Sequence, residues 1–332
     1  MSDTKIERIL VTGGAGYIGS VVVSALLNNG FKVIVLDKLS FGGEGLLNNW
    51  HNPNFMFIKG DLTDQKFVSR VFDDNKIDGI VHLAAIVGDP ACAKQPKLAE
   101  EINYQASVRL IEIAQKKKVE RFVFASTCSN YGKMSDPGKY LNEDSELKPV
   151  SLYAELKVKV EKHIFNEVQR DTGFSPTVLR FATVYGISPR MRFDLTVNEF
   201  AKEMSQRKEL LVFGEQFWRP YCHVFDFGRA ISSVLKSEKE KISFNVFNIG
   251  DTNENYQKKM IIDEVIKLIP DAKVKYVHKD EDPRDYKVAF EKVKNQLGFN
   301  ISRRVPDGIR EIKYMIENRL LMNPDDPKYK NI

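Results

Sequence analysis

The sequence predicts an α/β fold: a doubly wound parallel sheet with a smaller, discontinuous domain of mixed helices and strands. Strand-like and helix-like segments alternate through the first half of the chain. The strand-like runs, such as Ile9–Thr12 and Gly79–Leu83, are largely apolar, which is typical of strands that helices bury on both faces. A glycine-rich turn follows the first strand directly, as it does in many βα units.

The elements of the first half follow from their apolar periodicity and end signals. Tyr17–Asn29 has helical spacing of apolar residues and stops before Gly30, a residue type that favours a helix C-terminus. The predicted strands are Ile9–Thr12, Lys32–Leu36, Asn54–Ile58, Gly79–Leu83 and Arg121–Ser126, and the predicted helices are Tyr17–Asn29, Asp64–Phe72 and Lys97–Lys117.

The second half is mixed and has no clean break. Its predicted helices are Ser151–Thr172, Asp194–Lys208, Asp226–Ser237, Gln257–Ile269 and Pro306–Glu317, its predicted strands are Thr177–Phe181, Phe244–Ile249 and Lys273–Tyr276, and Tyr185–Arg192 is a predicted loop. We expect residues 1–183 to form the first domain, with 217–250 partly returning to it. Residues 184–216 and 251–322 then form the second domain, and 323–332 a polar tail.

Composition excludes several classes of protein. The chain has 332 residues, is 42% hydrophobic and carries a net charge of only +5, without the basic patch that nucleic-acid binding requires. Three scattered cysteines predict no disulfide framework, and the five histidines lack metal-ligand spacing. No run approaches the ~18 apolar residues of a membrane span, and no apolar segment follows the polar N-terminus. We therefore expect a cytoplasmic protein that binds neither metal nor membrane.

The glycine-rich turn predicts a dinucleotide site in a Rossmann-type domain. It reads Thr12-Gly-Gly-Ala-Gly-Tyr-Ile-Gly19, between a strand and a helix whose N–H groups point at a bound phosphate. Asp37 ends the second strand 18 residues after Gly19, close to the ~20 expected for a carboxylate that binds the ribose hydroxyls. A carboxylate there repels the 2′-phosphate of NADP. The predicted cofactor is therefore NAD.

A second motif predicts proton transfer. Tyr153 and Lys157 lie at i and i+4, so that one helix face presents both, and a nearby ammonium is expected to lower the pKa of a tyrosine toward the working range. Upstream, Ser126 and Thr127 end a predicted strand, at the edge of a parallel sheet where ligands bind. A hydroxyl there can hold the substrate oxygen that Tyr153 deprotonates.

The chain resembles the extended short-chain dehydrogenase/reductases. Within that family it is most similar to the nucleotide-sugar epimerases and dehydratases. The resemblance rests on the motifs above together with Asp61-Leu62, His82-Leu83-Ala84-Ala85 and Ser126–Gly132. The resemblance implies an NAD-binding first domain, a substrate-binding second domain and a homodimer through the Lys97–Lys117 and Ser151–Thr172 helices. It assigns to NAD the residues Gly13, Gly16, Tyr17, Ile18, Gly19, Asp37, Asp61, Leu62, Ala84, Ala85, Tyr153 and Lys157. It makes Tyr153 the base, Lys157 its activator and Thr127 the active-site hydroxyl, with Ser126 as the neighbouring candidate.

The resemblance also implies residues for a nucleotide-diphospho-sugar. Arg219 and Arg284 match the arginines that bind the diphosphate, and Asn198 lies where relatives place an asparagine near it. Pro220 and Thr183 replace an aspartate and an asparagine of the family pattern, and these departures bear on the sugar specificity more than on the chemistry. The loop arginines, Arg190 and Arg192, read either sugar or phosphate, or form ordinary surface ion pairs.

Three functions stay open. The 4,6-dehydratases of the family carry Asp-Glu directly after the active-site threonine, whereas Cys128-Ser129 follows Thr127 here, which disfavours dehydration. We expect an epimerase that acts through a 4-keto sugar. One alternative is an enzyme that catalyses net oxidation or reduction at C4. The other is a non-catalytic scaffold that only binds the dinucleotide; it predicts loss of Tyr153 or Lys157, and both are present. Cys128 is either an acid/base, as in some related epimerase/reductases, or a thiol that fills space.

Overall fold

The computed structural model describes residues 6–170, 172–206, 209–277 and 284–331. The strands are β1 Arg8–Thr12, β2 Lys32–Asp37, β3 Phe55–Lys59, β4 Gly79–His82, β5 Arg121–Thr127, β6 Ser175–Phe181, β7 Thr183–Tyr185, β8 Glu209–Phe213, β9 Trp218–His223, β10 Asn245–Ile249, β11 Asn255–Gln257 and β12 Lys273–Val277. The helices are α1 Tyr17–Asn28, α2 Gln65–Asp74, α3 Asp89–Lys94, α4 Pro96–Glu100, α5 Ala106–Lys116, α6 Leu152–Asn166, α7 Thr196–Ser205, α8 Val224–Lys236, α9 Lys239–Ile242, α10 Lys258–Leu268, α11 Glu291–Leu297 and α12 Val305–Glu317.

A seven-stranded sheet, in the order β10-β6-β5-β4-β1-β2-β3 and parallel throughout, forms the centre of the described fold. Apolar clusters cover both of its faces. The strand order reverses between β1 and β4, and in such sheets ligands bind at the carboxyl edge beside that point. The doubly wound parallel sheet is therefore confirmed.

The smaller second domain packs beside this edge. Its strands form a three-stranded sheet, β11-β9-β7, and the pair β12-β8. A separate apolar cluster joins α7, α10 and α12. Strand β10 and helix α8 return to the first domain, where Gly228 of α8 lies against Ala25 of α1.

Three predicted elements differ from the structure. The helix predicted over Ser151–Thr172 ends at Asn166. The single helix Lys97–Lys117 is divided by a π-helical turn, Glu101–Gln105. There the side chain of Asn103 donates to the backbone carbonyl of Ile86 and accepts from its N–H, both at 2.8 Å. The polar tail is packed: Lys202 pairs with Asp325 at 2.7 Å, and Phe193 N–H donates to the Tyr329 carbonyl at 2.8 Å.

Candidate functional site

A cleft of about 660 Å³ lies at the carboxyl edge of the large sheet, between the two domains. Seventeen of the eighteen sequence-predicted site residues line it, the exception being Asn198. Those that line it are Gly13, Gly16, Tyr17, Ile18, Gly19, Asp37, Asp61, Leu62, Ala84, Ala85, Ser126, Thr127, Tyr153, Lys157, Arg192, Arg219 and Arg284.

The glycine turn fits a dinucleotide diphosphate. Gly13 has φ +75°, and a Cβ there would lie 2.7 Å from the backbone nitrogen of Ala84. A Cβ on Gly19 would lie 2.1 Å from the Gly13 carbonyl oxygen. Gly16 precedes α1 with no side-chain cap, which leaves the first N–H groups of the helix for a ligand. The tight backbone and the open helix end make an anion cradle.

Asp37 organises the turn next to the cradle. Its carboxylate accepts from the N–H of Ala15 at 2.9 Å and from that of Leu39 at 2.8 Å. Lys38 follows Asp37, and its positive charge would favour a 2′-phosphate, but its ammonium is paired with Asp61 at 2.7 Å. Asp37 therefore remains the carboxylate without a lysine partner, among the described residues, at this end of the cleft.

We expect Asp37→Ser to shift the ratio of NAD to NADP affinity toward NADP by about tenfold or more. The change removes a charge that repels a 2′-phosphate and keeps a small hydrogen-bonding group at the turn. Titration of cofactor-stripped protein with both dinucleotides measures the ratio. The control is Asp73→Ser, an exposed carboxylate outside the cleft. An unchanged ratio in Asp37→Ser would contradict the assignment.

Helix α6 carries Tyr153 and Lys157 to the cleft. Ser151 caps its N-terminus: the hydroxyl accepts from the N–H of Ala154 and donates to Asp89 at 2.6 Å. Lys157 is buried, its Nζ donates to the Ala125 carbonyl at 2.7 Å, and the same Nζ lies 6.0 Å from the centre of the Tyr153 ring. The i, i+4 spacing therefore places both side chains together.

The expectation that Lys157 lowers the pKa of Tyr153 differs from the structure. Burial raises the pKa of Tyr153 above its usual value, the charges of Cys92 and Asp89 act in the same direction, and Arg192 opposes them. Burial also lowers the pKa of Lys157 to about 8. Removing water penalises both ions, so in the protein alone Tyr153 is a neutral phenol.

Ser126 and Thr127 end β5 opposite α6, and their hydroxyls differ in what they bind. The Ser126 hydroxyl donates to the buried Glu161 carboxylate and accepts from Asn130 Nδ2 at 3.0 Å. The Thr127 hydroxyl accepts from the Ser129 N–H at 3.1 Å, which leaves its own proton for a ligand. Thr127 is therefore the better placed of the two to bind a substrate oxygen.

Cys128 is buried away from the cleft. Its Sγ donates to the Arg180 carbonyl at 3.2 Å, and burial raises its pKa well above the usual value. This environment favours a space-filling thiol over an acid/base. His82 is likewise structural: it bonds Thr12 and Ser107, and burial lowers its pKa to about 3.

No group of histidine, cysteine and acidic residues able to hold a metal ion occurs in the described part of the chain, and His278 lies outside it. Within the same part, no helix is long and apolar enough to cross a bilayer. Residues 282–283, next to Arg284 in its motif, also lie outside the described residues.

Three predicted arginines reach the cleft from different elements. Arg219 donates to the Trp218 carbonyl at 2.7 Å, and Arg192 pairs with Asp194 through two nitrogens at 3.0 and 2.6 Å. Arg284 pairs at 2.6 Å with Asp89, the same carboxylate that binds the cap of α6. Each guanidinium is thereby held at the cleft wall.

The structure does not bring Asn198 to the cleft. Its buried amide accepts from the Gly186 N–H at 2.8 Å and donates to the Arg192 carbonyl at 2.8 Å and to the Tyr17 hydroxyl at 3.1 Å. Tyr17 in turn donates to the Gly186 carbonyl at 2.6 Å. Asn198 and Tyr17 therefore both bind the loop of residues 186–194. Of the two, Tyr17 also lines the cleft.

Sequence reasoning missed several lining residues, among them Phe41, Tyr286 and Asn331. Tyr286 lies two residues after Arg284, so that the motif offered a signal for it. Asn331 lies in the segment predicted as a polar tail, and nothing in its composition distinguishes it from solvent-exposed residues.

The comparisons with known proteins agree with this geometry. The model of the NAD dependent epimerase/dehydratase family matches residues 9–250, well over half of the chain. The chain belongs to the NAD-dependent epimerase/dehydratase family. It is 31% identical to the UDP-glucose 4-epimerase of Halalkalibacterium halodurans, over 73% of this chain and 75% of that protein.

Solved structures of family members superpose closely. The UDP-glucose 4-epimerase of Thermotoga maritima with UDP-glucose has a TM-score of 0.83 at 28% identity, over 95% of this chain and all of that chain. The UDP-glucose 4-epimerase of Thermus thermophilus in complex with NAD has a TM-score of 0.80 at 26% identity, over 93% of this chain and 99% of that chain. The resemblance to nucleotide-sugar epimerases and dehydratases is confirmed, the chain is an enzyme of this family, and NAD is its cofactor.

Proposed function

We propose that the chain is an NAD-dependent nucleotide-diphospho-sugar epimerase that acts through a 4-keto intermediate. One observation carries this proposal: Tyr153, Lys157 and Thr127 share a cleft whose carboxylates, among the described lining residues, are only Asp37 and Asp61. Asp37 ends β2 and Asp61 follows β3, at the proposed adenosine end. The carboxylate whose charge acts on Tyr153, Asp89, does not line the cleft and is paired with Arg284 and Ser151. Among the described residues, the reactive end therefore offers Tyr153 for proton transfer and no unpaired carboxylate for elimination of water.

The proposed roles follow from the contacts of each side chain. Gly13, Gly16 and Gly19 would cradle the NAD diphosphate, and Asp37 would bind the adenosine ribose. When bound, NAD supplies the carbon that accepts a hydride from the sugar C4 and returns it. Thr127 donates to the C4 oxygen and so holds it for proton transfer.

In the loaded enzyme Tyr153 acts as the phenolate: it takes the proton from the C4 hydroxyl as the carbonyl forms, and returns it when the sugar is reduced on its other face. Lys157, held by the Ala125 carbonyl, places a cation beside the ring, and Arg192 adds a second positive charge. In the protein alone burial outweighs these charges, and we propose that they stabilise the phenolate once NAD and the sugar are bound. Arg219 and Arg284 bind the substrate diphosphate from the second domain.

The likeness to the Thermotoga enzyme makes UDP-sugars the first substrates to test. A net C4 oxidoreductase is the alternative reaction, since it uses the same residues and differs only in exchanging its cofactor with solution. The homodimer stays a prediction.

The experiment is to denature the purified protein, quantify released NAD(H), and screen UDP-, GDP-, CDP- and dTDP-sugars for conversion and for NADH absorbance. An epimerase releases about one cofactor per chain and converts a sugar with no net absorbance change. Absorbance that moves with substrate and requires added cofactor would identify a net oxidoreductase. Bound cofactor with no conversion of any sugar would favour the scaffold.

A further inference from the structure

The loop of residues 186–194 connects the second domain to the cofactor cradle. Ser188 donates to the Tyr17 carbonyl at 2.7 Å, and its hydroxyl lies 3.0 Å from that of Ser20. Tyr17 donates back to the Gly186 carbonyl. The loop is thus fixed to the first turns of α1, the helix that follows the glycine turn.

Arg190 of this loop is a buried cation that pairs with no carboxylate among the residues the structure describes. It is 7% exposed and lines the cleft, and its guanidinium lies 4.3 Å from the centre of the Phe41 ring. Its Nη2 donates one long bond, 3.5 Å, to the Lys328 carbonyl, and its buried Nε has no hydrogen-bond partner among the described residues. By contrast, its neighbour Arg192 is paired with Asp194.

Such a group is costly unless an anion compensates it, because a buried charge loses its hydration. Burial lowers the pKa of Arg190 to about 10, the charge of Arg192 acts in the same direction, and the charge of Asp194, which is paired with Arg192, opposes them. The protein keeps the guanidinium in this position although its own described carboxylates do not pair with it. A bound anion in the cleft resolves the imbalance.

The position of Arg190 indicates which anion. Phe41 lies four residues after Asp37, in the turn that follows β2. A Cβ on Gly45 would lie 3.3 Å from the Arg190 Cβ and 3.2 Å from the Ala15 carbonyl oxygen, within the glycine turn. Arg190 therefore borders the cradle and the adenosine end of the cleft.

We propose that Arg190 binds the diphosphate of NAD from the side opposite the glycine turn and so slows release of the cofactor. The inference rests on NAD as the cofactor and not on the epimerase reaction. The C-terminal segment positions this arginine, since Lys328 bonds it and the Tyr329 ring packs 5.7 Å from Phe193 in the same loop.

The test uses Arg190→Gln and, as a matched control, Arg170→Gln, which removes an exposed arginine 4.5 Å from the Phe244 ring and outside the cleft. Cofactor-stripped proteins are titrated calorimetrically with NAD, ADP-ribose, adenosine and UDP. We expect Arg190→Gln to lower the affinity for NAD and ADP-ribose about tenfold to a hundredfold, as loss of a charged hydrogen bond does. The affinities for adenosine and UDP should change by no more than about threefold. The off-rate of NAD rises accordingly.

Three results would overturn the inference. Equal weakening of adenosine and ADP-ribose would make Arg190 a packing residue for the Phe41 turn. Selective weakening of UDP would assign Arg190 to the substrate diphosphate. Unchanged affinity for every ligand would leave it no binding role.

If Arg190→Gln does not fold, Arg190→Lys is titrated with the same four ligands. Its affinity for NAD and ADP-ribose should fall by a smaller factor, because the charge remains, while the affinities for adenosine and UDP stay unchanged. These titrations measure ligand affinity and need no catalytic turnover. The test of Arg190 therefore stays valid even if the chain proves not to be an epimerase.

Discussion

Replacing Tyr153 by phenylalanine is expected to lower kcat about 10²- to 10⁴-fold while the protein still purifies with NAD(H). The change removes the single hydroxyl proposed to exchange a proton with the sugar, and general acid–base groups contribute about this much to a rate. The rest of the ring, beside Lys157 Nζ, is kept. Conversion of the sugar found in the substrate screen, measured at saturation, gives kcat.

Tyr314→Phe is the control for this variant, because Tyr314 is 64% exposed and lies on α12, away from the cleft. It should match the unaltered enzyme in kcat and cofactor content. A Tyr153→Phe enzyme that keeps its rate would remove Tyr153 from the mechanism. One that loses NAD(H) along with its rate would show instead that the hydroxyl holds the cofactor.

Glu161→Ala is expected to lower the free energy of unfolding by about 3–5 kcal/mol. Glu161 is 2% exposed, one turn beyond Lys157, and pairs with the buried Arg180 at 2.7 Å. It also accepts from Asn130 at 2.8 Å and from Ser126. Its loss leaves a guanidinium buried without a counter-charge. Urea unfolding followed by circular dichroism measures the change.

Glu167→Ala provides the comparison at an exposed position just after the same helix, where Glu167 contacts only His163 at 3.1 Å among the described residues. It should change stability by no more than about 0.5 kcal/mol. The double variant Glu161→Leu, Arg180→Met should recover much of the loss, because it removes both charges. A single variant as stable as the unaltered protein would mean that water or another group compensates Arg180.

The fold was predictable from the sequence because its signals are local. Each strand of the parallel sheet is a short apolar run, and the glycine turn marks the βα junction by its own residue types. Tyr153 and Lys157 were predictable for the same reason, since helical spacing alone places them together. The family resemblance added the roles.

The features that were missed depend on contacts distant in sequence. The π-helical turn follows from Asn103 bonding Ile86, 17 residues earlier. Asn198 fits a family position, yet its amide is consumed by the loop it supports. The packed tail depends on Lys202 and Phe193, more than 100 residues before their partners. No periodicity or local spacing reports contacts of this kind.

The order of the large sheet has a consequence during synthesis. The seventh strand, β10, comes from residues 245–249 and pairs with β6 from residues 175–181. When residue 183 has emerged from the ribosome, six of the seven strands have been synthesised. The edge of β6 that later pairs with β10 is then unpaired, and the strand is largely apolar. Such edges pair readily with other chains. The nascent protein remains exposed to aggregation while about sixty more residues emerge, and a chaperone that covers this edge would raise the yield of folded chain.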